Sequence, residues 1–171
     1  MRVLLVLLGL LAGLTGPARA VEPVSEGDIA AAIRFQFGPA AAVANMTSLT
    51  GDVTCDGVDD AVLTYFNPDN PDGPLLHVMI VTHAAPAMDD GAAGSVVVDL
   101  PFSNDMQFAV CGAPRATPVA LEEWTEADLA ETFALPVCRI AMRVEDPECD
   151  RPRLFWITGE SDEGRIAFYR N

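Results

Sequence analysis

Apolar residues recur at two periods along this chain, and the change from one to the other marks out its elements. Ile29, Ile33 and Phe37 fall at i, i+4 and i+8, one stripe of a helix. Ser25 precedes them as an N-cap, and Asp28 follows it at capping-box spacing. Gly38-Pro39 supplies the stop. The pattern predicts a helix over 25–37 with its stripe turned to a core. From there the period shortens. AVLTYF (61–66) and LLHVMIVT (75–82) are rich in β-branched and aromatic residues. NPDNPDGP between them is turn chemistry, so the two predict a hairpin with a long tip. HAAPAMDDGAAG reads as a loop, SVVVDL (95–100) and MQFAVC (106–111) as strands, and PVALEEW (118–124) as a further strand.

Thr125 then caps a short helix, with Asp128 as its reciprocal partner and Leu129 and Phe133 on one face; Pro136 ends it. The tail repeats the strand pattern in CRIAMRV (138–144), RLFWIT (153–158) and RIAFYR (165–170), joined by two acidic turns. There is no βαβ alternation and no repeat with a period of 20 to 50 residues. The expected class is α+β: a mainly antiparallel β-sheet with an N-terminal helix and a second short helix.

The first twenty residues follow another logic. Arg2 is a short positive region, Val3 to Leu14 an apolar run, and Ala18-Arg19-Ala20 an A-x-A cleavage pattern. That is the layout of a secretory signal peptide over 1–20. The run is too short to span a bilayer as a helix, which needs about 20 apolar residues. Residues 21–171 are then expected to form a single acidic domain, periplasmic or secreted, with length enough for a core.

Charge narrows the partners. The chain has 10 Lys+Arg against 25 Asp+Glu, a net charge of −15, and every one of its basic residues is arginine. Loss of Arg2 and Arg19 with the leader leaves 8 against 25, or −17. Nucleic acid and anionic lipid both need a cationic footprint, so neither is an expected partner. Cations and basic exported proteins suit such a surface. The expected state is a monomer.

All four cysteines, Cys55, Cys111, Cys138 and Cys149, follow the leader. An even count in an exported chain predicts disulfides, and without a C-x-x-C spacing zinc is disfavoured. Four cysteines allow three pairings. Cys55 lies at a loop bend and Cys111 at a predicted strand end, so 55–111 with 138–149 is the preferred pairing.

One stretch carries specific chemistry. LTGDVTCDGVDDAVL places four aspartates within nine residues, 52 to 60. Written Asp52-x-Thr54-x-Asp56-Gly57-Val58-x-Asp60, it offers carboxylates, a hydroxyl and the Val58 carbonyl at alternate positions, with Gly57 at the bend. Calcium takes six to eight oxygens at roughly 2.3–2.6 Å, which this spacing suits. The same residues also suit a metal-free Asx turn, although four neighbouring acids repel one another unless something compensates them. The loop resembles the D-x-D-x-D-G-x-x-D calcium loops of FG-GAP, integrin-like repeats, in which it links two strands. Thr54 stands where that pattern has Asp or Asn. The resemblance covers about a dozen residues and implies Asp52, Thr54, Asp56, Val58 and Asp60 as ligands of Ca2+. With CDRPRLFWITGESDEGRIAFYRN the chain is also similar to small exported bacterial proteins of unknown function that carry one such loop. That likeness implies a compact secreted domain and no particular activity.

Catalytic signatures are missing from the sequence. It has no G-x-S-x-G elbow, no G-x-G-x-x-G and no Walker loop. His77 and His83 are six residues apart and are expected on one sheet face. Trp124 and Trp156 are expected in the core, and Arg151 and Arg153 beside acids. The expected function is therefore a non-enzymatic binding or structural module with one structural calcium loop. Its partner would be another exported protein or ligand. The alternatives are an inhibitor or cap of a basic exported protein, and a hydrolase using His83 or a carboxylate pair.

Overall fold

The computed structural model describes residues 22–38, 46–87, 92–103, 109–148, 150–159 and 165–170; the expected leader over 1–20 lies outside them. Ser25 caps α1 (Glu26–Phe37) with the full reciprocal capping box to Asp28. Four strands follow: β1 (Met46–Gly51), β2 (Asp60–Asn67), β3 (Leu75–Thr82) and β4 (Gly94–Pro101). After β5 (Val119–Glu123) and α2 (Glu126–Thr132) come β6 (Ile140–Val144), β7 (Arg153–Trp156) and β8 (Ile166–Tyr169). The strands form two four-stranded sheets in the orders β1-β2-β3-β4 and β5-β6-β7-β8. Every pairing between named strands is antiparallel, so each sheet is a meander of chain neighbours. Among the described residues the architecture is mainly antiparallel β with two helices.

Strand alternation sorts side chains between layers. Val62, Leu76, Val78, Ile80, Val98 and Leu100 from the first sheet share one core with Met142, Val144, Leu154 and Trp156 from the second. Burying a side chain such as Leu76, Ile80 or Leu154 contributes roughly 1.5–3 kcal/mol. Residues of opposite parity, Ala61, Leu63, Met79 and Val81, face the other way and pack under Ala32, Ile29, Ile33 and Phe37 of α1. Beyond the second sheet, Phe133 at the end of α2 packs on the fully buried Phe155, with ring centroids 4.8 Å apart.

One strand has no counterpart in the sequence reading, and one expected strand is only partly described. MTSLTG has no apolar alternation, yet it forms β1; it pairs with one neighbour, β2, and none of its six residues is buried. An edge strand held by its ladder needs little hydrophobic patterning. MQFAVC falls partly on 104–108, outside the described residues, and Val110 makes an isolated parallel bridge to Phe102.

Candidate functional site

The acidic loop joins β1 to β2, the placement its sequence suggests. Asp52 receives the amide N–H groups of Asp56 and Gly57, each at 3.1 Å. Asp56 Oδ1 accepts from the Val58 amide at 2.9 Å. Asp60 opens β2 and is buried, and its Oδ2 accepts from the amides of Val53 and Thr54, both at 3.0 Å. Burial pushes the Asp60 carboxyl up, while hydrogen bonding from Thr82 and the Thr54 amide works against it. Asp59 is exposed. Gly57 (φ 89°) and Cys55 (φ 59°) both lie in the left-handed region, which glycine enters freely and cysteine does not.

Whether these groups suit a cation is a question of spare acceptors. Among the described residues, no three His, Cys, Asp or Glu side chains are grouped to hold a metal ion. In this loop Asp52 and Asp60 turn toward backbone amides. A carboxylate has about four lone-pair sites, however, so the amides leave acceptor capacity on both. The Thr54 hydroxyl is buried at 4% exposure and makes no hydrogen bond of full geometry among the described residues; its near neighbour is the Asp60 carboxylate, whose charged form it favours. An unsatisfied buried hydroxyl costs about 1–3 kcal/mol. The donor set is oxygen throughout, as a hard cation requires.

The disulfide expectation is corrected. Cys55 is bonded to Cys138, 83 residues along the chain, which excludes both 55–111 and 138–149. The physical reason is the stacking of the two sheets. Cys138 precedes β6 and is held by its amide to the Trp156 carbonyl at 2.7 Å, which sets it beside the loop; its sulfur lies 3.7 Å from the Asp52 carbonyl oxygen. The loop is thus stapled to a sheet, as the sequence suggests, but to the second one. Cys111 is also disulfide-bonded, and Cys149 lies outside the described residues. Buried Asp146 plays for Cys111 the part that Asp60 plays for Thr54, accepting the Cys111 amide at 2.6 Å.

The histidines separate. His83 sits exposed in the turn after β3, whereas His77 is buried at 9% exposure. Its Nδ1 lies 2.6 Å from Asp99 Oδ1 on β4. Tyr65, His77 and Asp99 stand directly opposite one another across β2, β3 and β4. The Tyr65 and His77 rings stack with 13° between planes, and Phe37 packs on both. These residues line a cleft of about 420 Å³ together with Gln36, Asn67 and Val97. The sequence reading missed this pair. Its one signal was a polar residue breaking each of two apolar runs, LLHVMIVT and SVVVDL, and only the strand register shows that the two breaks meet.

The outer face of the second sheet carries a charge network. Arg153 binds Glu122 at 2.8 Å, and its guanidinium lies 5.7 Å from the Trp124 ring centroid. Arg143 reaches Glu145 at 2.7 Å and Glu122 at 3.4 Å, and Arg151 reaches Glu145 at 3.2 Å. Burial works to raise the Glu122 carboxyl, but the hydrogen bonds and charges of Arg153 and Arg143 outweigh it and hold the group below the ordinary glutamate range. Beside the network, Trp124, Tyr169, Glu123, Asp128 and Glu131 line a cleft of about 460 Å³. Trp156, by contrast, is core.

No family model, no curated protein and no solved structure matches the chain.

Proposed function

We propose that the chain is an exported α+β binding module whose loop over 52–60 holds one structural divalent cation of the calcium type. The observation that carries this reading is the buried Thr54 hydroxyl, without a hydrogen bond of full geometry among the described residues, inside a loop of oxygen donors stapled by Cys55–Cys138. Asp52, Thr54, Asp56, Asp60 and the Val58 carbonyl would hold the ion. It would neutralise the crowded carboxylates and give Thr54 a partner, stabilising the native state by mass action. Disulfide bonding of Cys55, Cys111 and Cys138 supports an oxidising compartment.

The test is a thermal melt of the oxidised protein in excess calcium and then in chelator. At about 100 times Kd the ion adds roughly 2.7 kcal/mol. For a domain of this size that moves Tm by several degrees, at about 2–4 °C per kcal/mol. The shift should be selective for calcium and vanish in Asp56→Ala. An unchanged Tm overturns the cation and leaves the loop a self-capped turn.

A second reading, a cap for a basic exported protein, is favoured by the cleft at Trp124 and Tyr169, where four acids, Glu122, Glu123, Asp128 and Glu131, meet two aromatic rings. A guanidinium or ammonium gains there from both charge and ring face. Binding of an arginine-rich peptide, weakened by salt and by Trp124→Ala, would support it. No binding at low salt overturns it.

A further inference from the structure

We propose that His77 is a general base in a hydrolytic site on the α1 face of the first sheet, with water as nucleophile and a neutral acyl ester as substrate. The inference does not rest on the cation loop, which lies between β1 and β2.

The placement comes from where α1 ends. Over Ala61, Leu63, Met79 and Val81 this face of the sheet is apolar and covered by the helix. The helix stops at Phe37, whose ring packs against Tyr65 and His77. The row Tyr65–His77–Asp99 then floors a cleft of about 420 Å³. One register step away on the same face, Met79 opposes Val97, an apolar pair that meets all the packing needs of such a position. A histidine and an aspartate in its place add a positioned proton acceptor.

The pair has the orientation that general-base chemistry requires. His77 Nδ1 and Asp99 Oδ1 are 2.6 Å apart; a carboxylate can only accept, so Nδ1 donates there and the ring, when neutral, carries its free lone pair on Nε2. Stacked Tyr65 and tilted Phe37 hold the ring plane. Among the described residues lining the cleft there is no serine, threonine or cysteine, and water is the attacking group. As the water oxygen bonds to the ester carbonyl carbon, its proton passes to Nε2. The tetrahedral intermediate collapses with cleavage of the bond from carbon to the leaving oxygen. The imidazolium returns the proton to that alkoxide, giving an acid and an alcohol. Asn67 and Gln36 bring side-chain amide donors for the oxyanion, and Gln36 is fixed by its bond to Ser95 Oγ at 3.0 Å. Phe37 and Val97 suit an apolar acyl group. A neutral ester is favoured over an anionic one because Asp99 and the net charge of −15 repel anions.

The test is the initial rate of p-nitrophenyl acetate hydrolysis by the intact protein, with His77→Gln, Asp99→Asn and His83→Gln. The expected result is a saturable rate above that of equimolar 4-methylimidazole. His77→Gln should lower it at least about tenfold, and His83→Gln should leave it unchanged. A wild-type rate that does not saturate, or no loss in His77→Gln, overturns the proposal. Should His77→Gln lose its native circular dichroism, Asp99→Asn decides, since the Asp99 side chain is 58% exposed and contributes little to packing. That variant should lose both rate and the downfield Nδ1–H proton resonance. Loss of the resonance with the full rate retained overturns the role of Asp99 as the positioning residue.

Discussion

Cys55, in the left-handed conformation at the bend of the acidic loop, is disulfide-bonded to Cys138 at the head of β6, 83 residues away. The bond crosses from the loop of one sheet to the leading edge of the other. It closes a long stretch of chain and holds a strained backbone position whose neighbours are wired to Asp52 and Asp60.

Replacing both cysteines with alanine should therefore cost roughly 2–5 kcal/mol. Calorimetry of the double variant should show Tm lower by about 10 °C, using about 2–4 °C per kcal/mol. Hydrogen exchange should speed up first at the amides of Val53 and Thr54. A fall in Tm under about 2 °C would mean that the sheets dock without the staple.

Glu122 and Arg153 offer a second measurement. A double-mutant cycle with Glu122→Gln and Arg153→Gln should give a coupling of about 1 kcal/mol at neutral pH, since both side chains are partly screened. The folded carboxyl titrates below its unfolded value of 4.5. Its contribution is thus present above that value and fades as pH falls through the folded one. The stability gap between wild type and Glu122→Gln should narrow on acidification in that window. A gap that widened there would contradict the assignment.

Asp28 accepts three bonds, one of which ties α1 to the chain ahead of β4. Its Oδ2 accepts from the Ser25 hydroxyl and amide, and its Oδ1 from the Ala93 amide at 2.9 Å, just ahead of β4. Those bonds, the Ser25 hydroxyl first, hold its carboxyl below the usual aspartate range. Asp28→Ala should cost about 1–2 kcal/mol in urea denaturation. Asp128→Ala, which removes the equivalent partner of Thr125 on α2, should cost less, because α2 buries none of its residues.

Two glycines separate rigid from yielding contacts. A Cβ on Gly94 would meet the Pro86 carbonyl oxygen at 2.1 Å, a backbone atom that cannot step aside. On Gly51 it would meet Leu121 Cδ1 at 2.4 Å, the end of an exposed, flexible side chain. Gly94→Ala should cost about 1–3 kcal/mol or more. Gly51→Ala should stay within about 1 kcal/mol, with Leu121 changing rotamer. Equal losses in the two would argue against this packing.

The sequence by itself determined the local structure. The capping box at Ser25 and Asp28, the helix it starts, the strand LLHVMIVT and the loop that hangs on Gly57 all follow from interactions within a few residues, which composition and spacing encode directly. β1 escaped because an edge strand is specified by its neighbour's ladder rather than by its own apolar pattern. Tertiary structure decided everything that depends on which strands stack and in what register. The stacking of the two sheets chose Cys138 over Cys111 as the partner of Cys55. The register of β2, β3 and β4 brought Tyr65, His77 and Asp99 into one row, and the end of α1 left that row lining a cleft. A contact between residues 22 positions apart, like one between residues 83 apart, has no local signature. It exists because burial of the apolar faces leaves the chain one economical way to fold over itself.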